Sequence, residues 1–129
     1  MSSLASKIPK LIRMGNPSLR YKSTNFTKDE IVTSATQRLV TELRDAMIAE
    51  GGCGIAAPQI GINRNVCIIR DPEMPGMLEA PMRETVLFNP KLEFILKHET
   101  ILTLESCLSL PGLAGKVVRY NNVMLTYDV

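Results

Sequence analysis

The chain has 129 residues, enough for one domain with a single core. Its apolar fraction of 45% and charged fraction of 22% are those of an ordinary globular protein. With 15 basic against 13 acidic side chains, the net charge of +2 is too weak a bias to argue for nucleic acid or a membrane surface, and no apolar run has the length of a membrane span.

Three cysteines, Cys53, Cys67 and Cys107, are widely spaced and form no CxxC pair. An odd count argues against a secreted disulfide framework and for a reducing compartment, so a cytoplasmic location is expected. The first acidic residue is Asp29, after six basic ones, and this acid-poor start keeps a mitochondrial or plastid address as the alternative. A solvated basic arm is the simpler account, because Pro9 and Pro17 interrupt any amphipathic helix there.

In chain order, residues 1–25 read as irregular or extended, with Asn16-Pro17 a turn signal. Thr27-Lys28-Asp29-Glu30 fits a capping box. Ile31, Ala35, Leu39, Leu43, Ala46 and Met47 then recur at helical spacing until Gly51-Gly52, which predicts one amphipathic helix over about 28–50. After it the pattern changes to strands. Val66–Ile69 is a short apolar run suited to a buried strand, and Pro-rich 71–82 reads as a surface loop. Val86-Leu87-Phe88 is a strand closed by an Asn89-Pro90 turn. Residues 91–97 and 100–110 are expected to pair around Lys97-His98-Glu99, and 116–120 with 123–129 across Asn121-Asn122. In the last strand Val123, Leu125, Tyr127 and Val129 alternate with Met124, Thr126 and Asp128, so one face is expected to be buried. The fold class is α+β: an N-terminal helix packed on mostly antiparallel sheet, in one domain over 1–129.

Two stretches stand out chemically. Gly52 and Gly54 straddle Cys53, followed by Ala56, Ala57 and Gln59. A slim backbone strip ending in an amide donor suits an extended peptide lying alongside. A tight helix-to-strand turn with a surface Gln59 explains the same residues. The second stretch, Glu105-Ser106-Cys107-Leu108-Ser109-Leu110-Pro111-Gly112, places a thiol in a strand-like run ending on a Pro-Gly turn. Cys107 can be a buried filler, a nucleophile using His98 as its base, or one ligand of a zinc site with Cys53, Cys67 and His98.

Taken together, Gly52-x-Gly54-x-Ala56-Ala57-x-Gln59 and Glu105-x-Cys107-Leu108-Ser109 resemble the first two signature motifs of the peptide deformylases. Met14-Gly15-Asn16-Pro17-Ser18-Leu19-Arg20 resembles that family's opening, and Phe88-Asn89-Pro90 and Arg119-Tyr120 are similar to residues of its mitochondrial and plant-like type. The likeness runs from about residue 8 onward. It implies a metal hydrolase that removes the formyl group from the N-terminal methionine of new polypeptides, with N-formylmethionyl peptides and nascent chains near the ribosome as partners. It implies Cys107 as thiolate ligand of ferrous iron, with zinc, nickel or cobalt substituting. It also implies Gln59 and the Leu108 N–H as donors to the formyl oxygen, and the backbone of Gly54 and Ile55 pairing with substrate. Gly52 and Ser106 would lie beside the substrate, and Glu105 would wall the methionine pocket.

The sequence departs from the family pattern in three places. Ser106 stands where the family usually has glycine, and Ala114 where many members carry arginine. The two histidine ligands and the catalytic glutamate should follow in an H-E-x-x-H helix, yet residues 108–129 hold no histidine. The resemblance therefore predicts an incomplete domain, truncated before that helix, with doubtful activity and an exposed apolar face over 116–129. A non-catalytic deformylase-like peptide-binding protein is the alternative.

Overall fold

The computed structural model describes residues 7–70, 84–94 and 99–129. The expected 71–82 loop and His98 lie outside these residues. Asn16 caps a 3₁₀ turn at Pro17–Arg20, its side chain accepting from the Ser18 N–H at 3.0 Å. The capping box forms as its sequence predicts: the Thr27 N–H donates to Glu30 Oε2 at 2.7 Å, and the Glu30 N–H to Thr27 Oγ1 at 3.2 Å. These bonds, with Arg64 nearby, hold the Glu30 carboxyl below its ordinary range.

The predicted single helix is two. Helix α1 covers Lys28–Ile31 and α2 covers Ser34–Ala49. Thr33 re-caps the chain between them, accepting from the Thr36 N–H at 3.3 Å while donating to the Glu30 carbonyl at 2.8 Å. This restart turns the buried stripe by one position. Thr36, Val40, Leu43, Ala46 and Met47 face inward, whereas Ala35 is exposed and Leu39 half-buried.

Strands β1 (Gly54–Ala56), β2 (Val66–Arg70), β3 (Glu84–Phe94) and β6 (Val123–Asp128) form one antiparallel sheet in the order β1-β2-β3-β6. Strands β4 (Thr100–Cys107) and β5 (Leu110–Tyr120) form a separate antiparallel pair. The α+β expectation holds. The core lies between α2 and the larger sheet, where Leu43 and Met47 meet Val66, Ile68 and Ile55, all nearly or fully buried. Each such side chain contributes roughly 1.5–3 kcal/mol by leaving water.

The strand pairing departs from the sequence reading. Asn89-Pro90 does not end a strand; β3 passes through it, and the register with β6 shifts between Phe88 and Lys91. Proline has no N–H to give a ladder, and a bulge is where a strand accommodates that loss. Residues 91–94 pair with β6, not with 100–110, and 116–120 pair with β4, not with 123–129. Asn121-Asn122 therefore carries the chain from one sheet to the other. The alternating face of β6 is not buried either: Val123, Tyr127 and Val129 are exposed and Leu125 half-buried, while Leu104 and Val118 of the second sheet are also open.

The bulge is held by a side chain. Asn89 stands at φ 50°, left-handed backbone that asparagine tolerates better than most residues. Its Oδ1 accepts from the Phe26 N–H at 2.8 Å, and its Nδ2 donates to the Phe26 carbonyl and to Asp128 Oδ2, both at 2.9 Å. Phe26 meets Phe88 edge-on at 5.2 Å and lies under the Arg64 guanidinium at 3.8 Å. Replacing Asn89 by alanine removes all three bonds and keeps the backbone strain, a loss of about 2–4 kcal/mol. Asn89→Gly removes the bonds but relaxes the backbone, so its urea midpoint should fall between Asn89→Ala and wild type; equal midpoints for the two variants would contradict the strain component.

Candidate functional site

The site begins at the end of α2. The Gly51 and Gly52 N–H groups turn back onto the carbonyls of Ile48 (3.1 Å) and Met47 (2.9 Å), with Gly51 at φ 66°. This reciprocal closure needs a left-handed residue after the helix cap, which glycine supplies. Gly52 then lies directly against Leu108: a Cβ there would stand 2.6 Å from Leu108 Cδ1. A Cβ at Gly54 would meet the Ile68 carbonyl at 3.3 Å. The slim strip is thus slim because other chain segments lie against it. From Gly54 the chain enters β1, the end strand of its sheet, which among the described residues pairs only with β2. The Ile55 side chain is buried in the core, and its backbone is paired with Ile68 of β2.

Gln59 follows on a 3₁₀ turn, Ala57–Ile60. It is not a loose surface glutamine. Its Oε1 accepts from the Ala56 N–H at 2.8 Å, its backbone carbonyl accepts from the Ile12 N–H at 2.7 Å, and its Nε2 donates to Ser109 Oγ at 3.3 Å. The same Nε2 stands 4.0 Å from Cys107 Sγ. With one N–H on Ser109, the amide has a second beside the thiol.

The hairpin tip supplies the other side. Leu108-Ser109 makes the turn between β4 and β5, whereas Pro111-Gly112 falls inside β5. The register jumps from Ser106↔Ala114 to Cys107↔Leu110, so residues 111–113 bulge outward with Gly112 at φ 75°. Three bonds dock this tip: Arg13 to the Leu108 carbonyl at 2.5 Å, the Met14 N–H to the Ser109 carbonyl at 2.9 Å, and Gln59 to Ser109 Oγ. Ser109 is buried, while Ser106 and Cys107 are exposed. The filler reading of Cys107 therefore fails; Cys67 is nearer to that description, and burial pushes its thiol up.

A cleft of about 710 Å³ opens at this junction. Gly52, Gly54, Gln59, Ser106, Cys107 and Leu108 all line it, so six of the eight residues singled out by sequence come together. Ile55 and Glu105 do not line it. Glu105 accepts instead from Arg119 Nε and Nη2, at 2.8 and 2.7 Å. That two-pronged pair, with a smaller part from Thr103, pushes the Glu105 carboxyl down to about 2. Sequence reasoning missed Arg13 and gave no role to Ser109 of the second motif; these two carry the docking bonds. The one signal for Arg13 was its place in the basic arm, which is a charge pattern and gives no address in the fold.

Metal binding asks more than the site holds. Among the described residues, no group of three or more histidine, cysteine or carboxylate side chains is placed to hold an ion. Cys107, with an amide as its neighbour, does not fit a metal centre unaided, because an open catalytic site takes three protein ligands.

The polypeptide deformylase family model matches residues 8–128. The chain belongs to that family. Peptide deformylase 1 of Prochlorococcus marinus is 37% identical over 125 residues, which cover 90% of this chain and 60% of the relative. The peptide deformylase of Leptospira biflexa is 29% identical over 124 residues, covering 93% and 68%. In curated relatives such as these, the chain thus spans about two thirds of the length. The fold matches a Met-Ala-Ser-bound class I type b peptide deformylase from Acinetobacter baumannii with TM-score 0.79 and 28% identity, over 95% of this chain and 77% of that one. It matches the actinonin complex of the Ehrlichia chaffeensis peptide deformylase equally well, with TM-score 0.79 and 26% identity, over 94% and 68%. Within this family frame, the glycine strip, Gln59 and the Cys107 turn are the parts that the fold brings to one cleft.

Two outcomes follow from the site's geometry. Gly52→Val drives a branched side chain into Leu108, with an overpacking cost of about 1–3 kcal/mol; unchanged thermal melting would show that Leu108 yields freely. Glu105 has a depressed folded-state value, so its contribution to stability is fully present above about 4.5 and is lost as pH falls toward 2. The melting-temperature gap between wild type and Glu105→Gln should therefore close on acidification across that window, and a gap that stays constant would rule out the pairing.

Proposed function

We propose that this chain takes N-formylmethionyl peptides as the peptide-binding part of a peptide deformylase, an amide hydrolase that takes the formyl group from the N-terminal methionine of new polypeptides, with turnover dependent on an H-E-x-x-H segment. The observation that carries this reading is the convergence of Gln59, Cys107 and the Leu108 turn on one cleft beside the open edge of β1. The peptide backbone lies along Gly54 and Ile55 as an added strand, which satisfies polar groups that the edge leaves open. The second Nε2 hydrogen of Gln59 and the Leu108 N–H meet the formyl oxygen. Both donors are pre-set, Gln59 by Ala56 and Ser109 and Leu108 by Arg13, so little reorganisation is needed as charge grows on that oxygen. Gly52 and Ser106 flank the channel. Glu105, held by its Arg119 pair between β4 and β5, walls the methionine side of the site.

In this reading Cys107 would be the thiolate side of an iron site, with zinc, nickel or cobalt as substitutes, given an H-E-x-x-H segment for the remaining ligands; the family's metal dependence supports it. Three free thiols suit the reducing cytoplasm, with nascent chains as the source of substrate. No described helix is long and apolar enough to cross a membrane.

A second reading, a peptide-binding protein without catalysis, is favoured by the same Gln59 and β1 edge standing beside a single thiol. One titration addresses both. Formyl-Met-Ala-Ser should bind the 129-residue chain, and Gln59→Ala should weaken that binding. Where turnover is measured, Gln59→Ala should lower it by around 10²–10³. Indifference of both quantities to Gln59→Ala would defeat both readings, whereas chelator-insensitive binding without turnover selects the second.

A further inference from the structure

The cleft wall carries two charged residues, Arg13 and Glu50, of opposite sign. Arg13 is exposed, and its Nη1 donates to the Leu108 carbonyl at 2.5 Å. It has no carboxylate partner among the described residues, in contrast to Arg44, Arg64 and Arg119, each of which is paired with a glutamate. A guanidinium carries five N–H donors in a planar fork matched to carboxylate geometry. One donor fixes Arg13 to the turn next to Cys107, and the rest of the fork stays at the cleft.

We propose that Arg13 is a carboxylate-binding side chain of this cleft. The inference rests on the proposed function for the sources of the anion, and there are two. Hydrolysis breaks the formyl C–N bond and forms a C–O bond with oxygen from water. The neutral formamide becomes formate, and the freed amine takes up a proton as ammonium. A negative charge thus grows beside Leu108 during the reaction and remains on the formate product. The other source is the C-terminal carboxylate of a short peptide lying in the same cleft. Both present the same two oxygens to the same fork, and the anchoring bond to Leu108 holds that fork in place before either arrives.

The test uses the 129-residue chain with sodium formate, and with Met-Ala-Ser as free acid and as C-terminal amide. Formate should shift the Arg13 Nε–H resonance saturably where sodium chloride does not. Arg13→Met should weaken formate binding about fivefold or more, and Arg13→Lys should keep part of it as a point charge without the fork. If the peptide terminus is the source, the free acid should outbind the amide in wild type only. If formate is, acid and amide should bind alike while formate alone depends on Arg13. Unsaturable shifts matching those of chloride, or Arg13→Met binding every carboxylate as wild type does, would overturn the proposal. Binding of formyl-Met-Ala-Ser as its C-terminal amide, which uses Gln59 and no carboxylate, reports separately on the proposed function. Should Arg13→Met fail to fold by circular dichroism, the wild-type resonance and Arg13→Lys still decide.

Discussion

The docking of the β4–β5 tip is the constraint on which the rest depends. Two strands alone are marginal in water, and this pair exposes Leu102, Leu104 and Val118. What fixes it to the body is its turn: Leu108 packs against the core and Gly52, and Ser109 is buried between Met14 and Gln59. At the far end Phe94 meets Tyr120 with ring centroids 4.6 Å apart. The thiol, the amide donor and the cleft exist as a unit because the tip is seated. Arg13, from a stretch that reads as a featureless basic arm, is one of the pins.

The functional and structural uses of this junction are the same atoms. Gln59 links the N-terminal segment through Ile12, the start of its own turn through Ala56, and the hairpin through Ser109. A residue tied in three directions has its remaining N–H aimed by the fold, here toward Cys107 Sγ, which is how a donor becomes preorganised. The glycines serve the approach of Leu108 and of β2, where a Cβ would intrude. Their freedom from side chains serves contact between elements as much as contact with a ligand.

What was legible in the sequence was local. The capping box at Thr27 and Glu30, the glycine stop after α2 and the β2 run each depend on residues a few positions apart, and each forms as read. The second cap at Thr33 was hidden because its threonine sat inside an unbroken apolar period. Strand partnership was not legible at all. Asn89-Pro90 and Asn121-Asn122 carry turn residues, yet one is a bulge inside a long strand and the other a crossing between sheets. Both are decided by distant partners, Phe26 and Asp128 for the first and β3 for the second. The site was legible as motif residues, Ser109 among them, while Arg13 and the docking role of Ser109 emerge only through the contacts that folding creates.

The crossing at Asn121-Asn122 sets the order in which this chain can close. β3 and β6 pair only after the chain has travelled from Phe94 to Val123, a span whose loop entropy is of the order of 3 kcal/mol if the intervening residues are free. The β4–β5 hairpin lies wholly within that span, and its base pairs Thr100 with Tyr120 while the Asn121 N–H bonds the Glu99 carbonyl at 2.7 Å. A local hairpin forms faster than a distant strand pair. Once zipped, it has already brought the two ends together, so only short connectors remain to be ordered. The element that displays the thiol therefore also serves as the clasp that lets the larger sheet acquire its last strand.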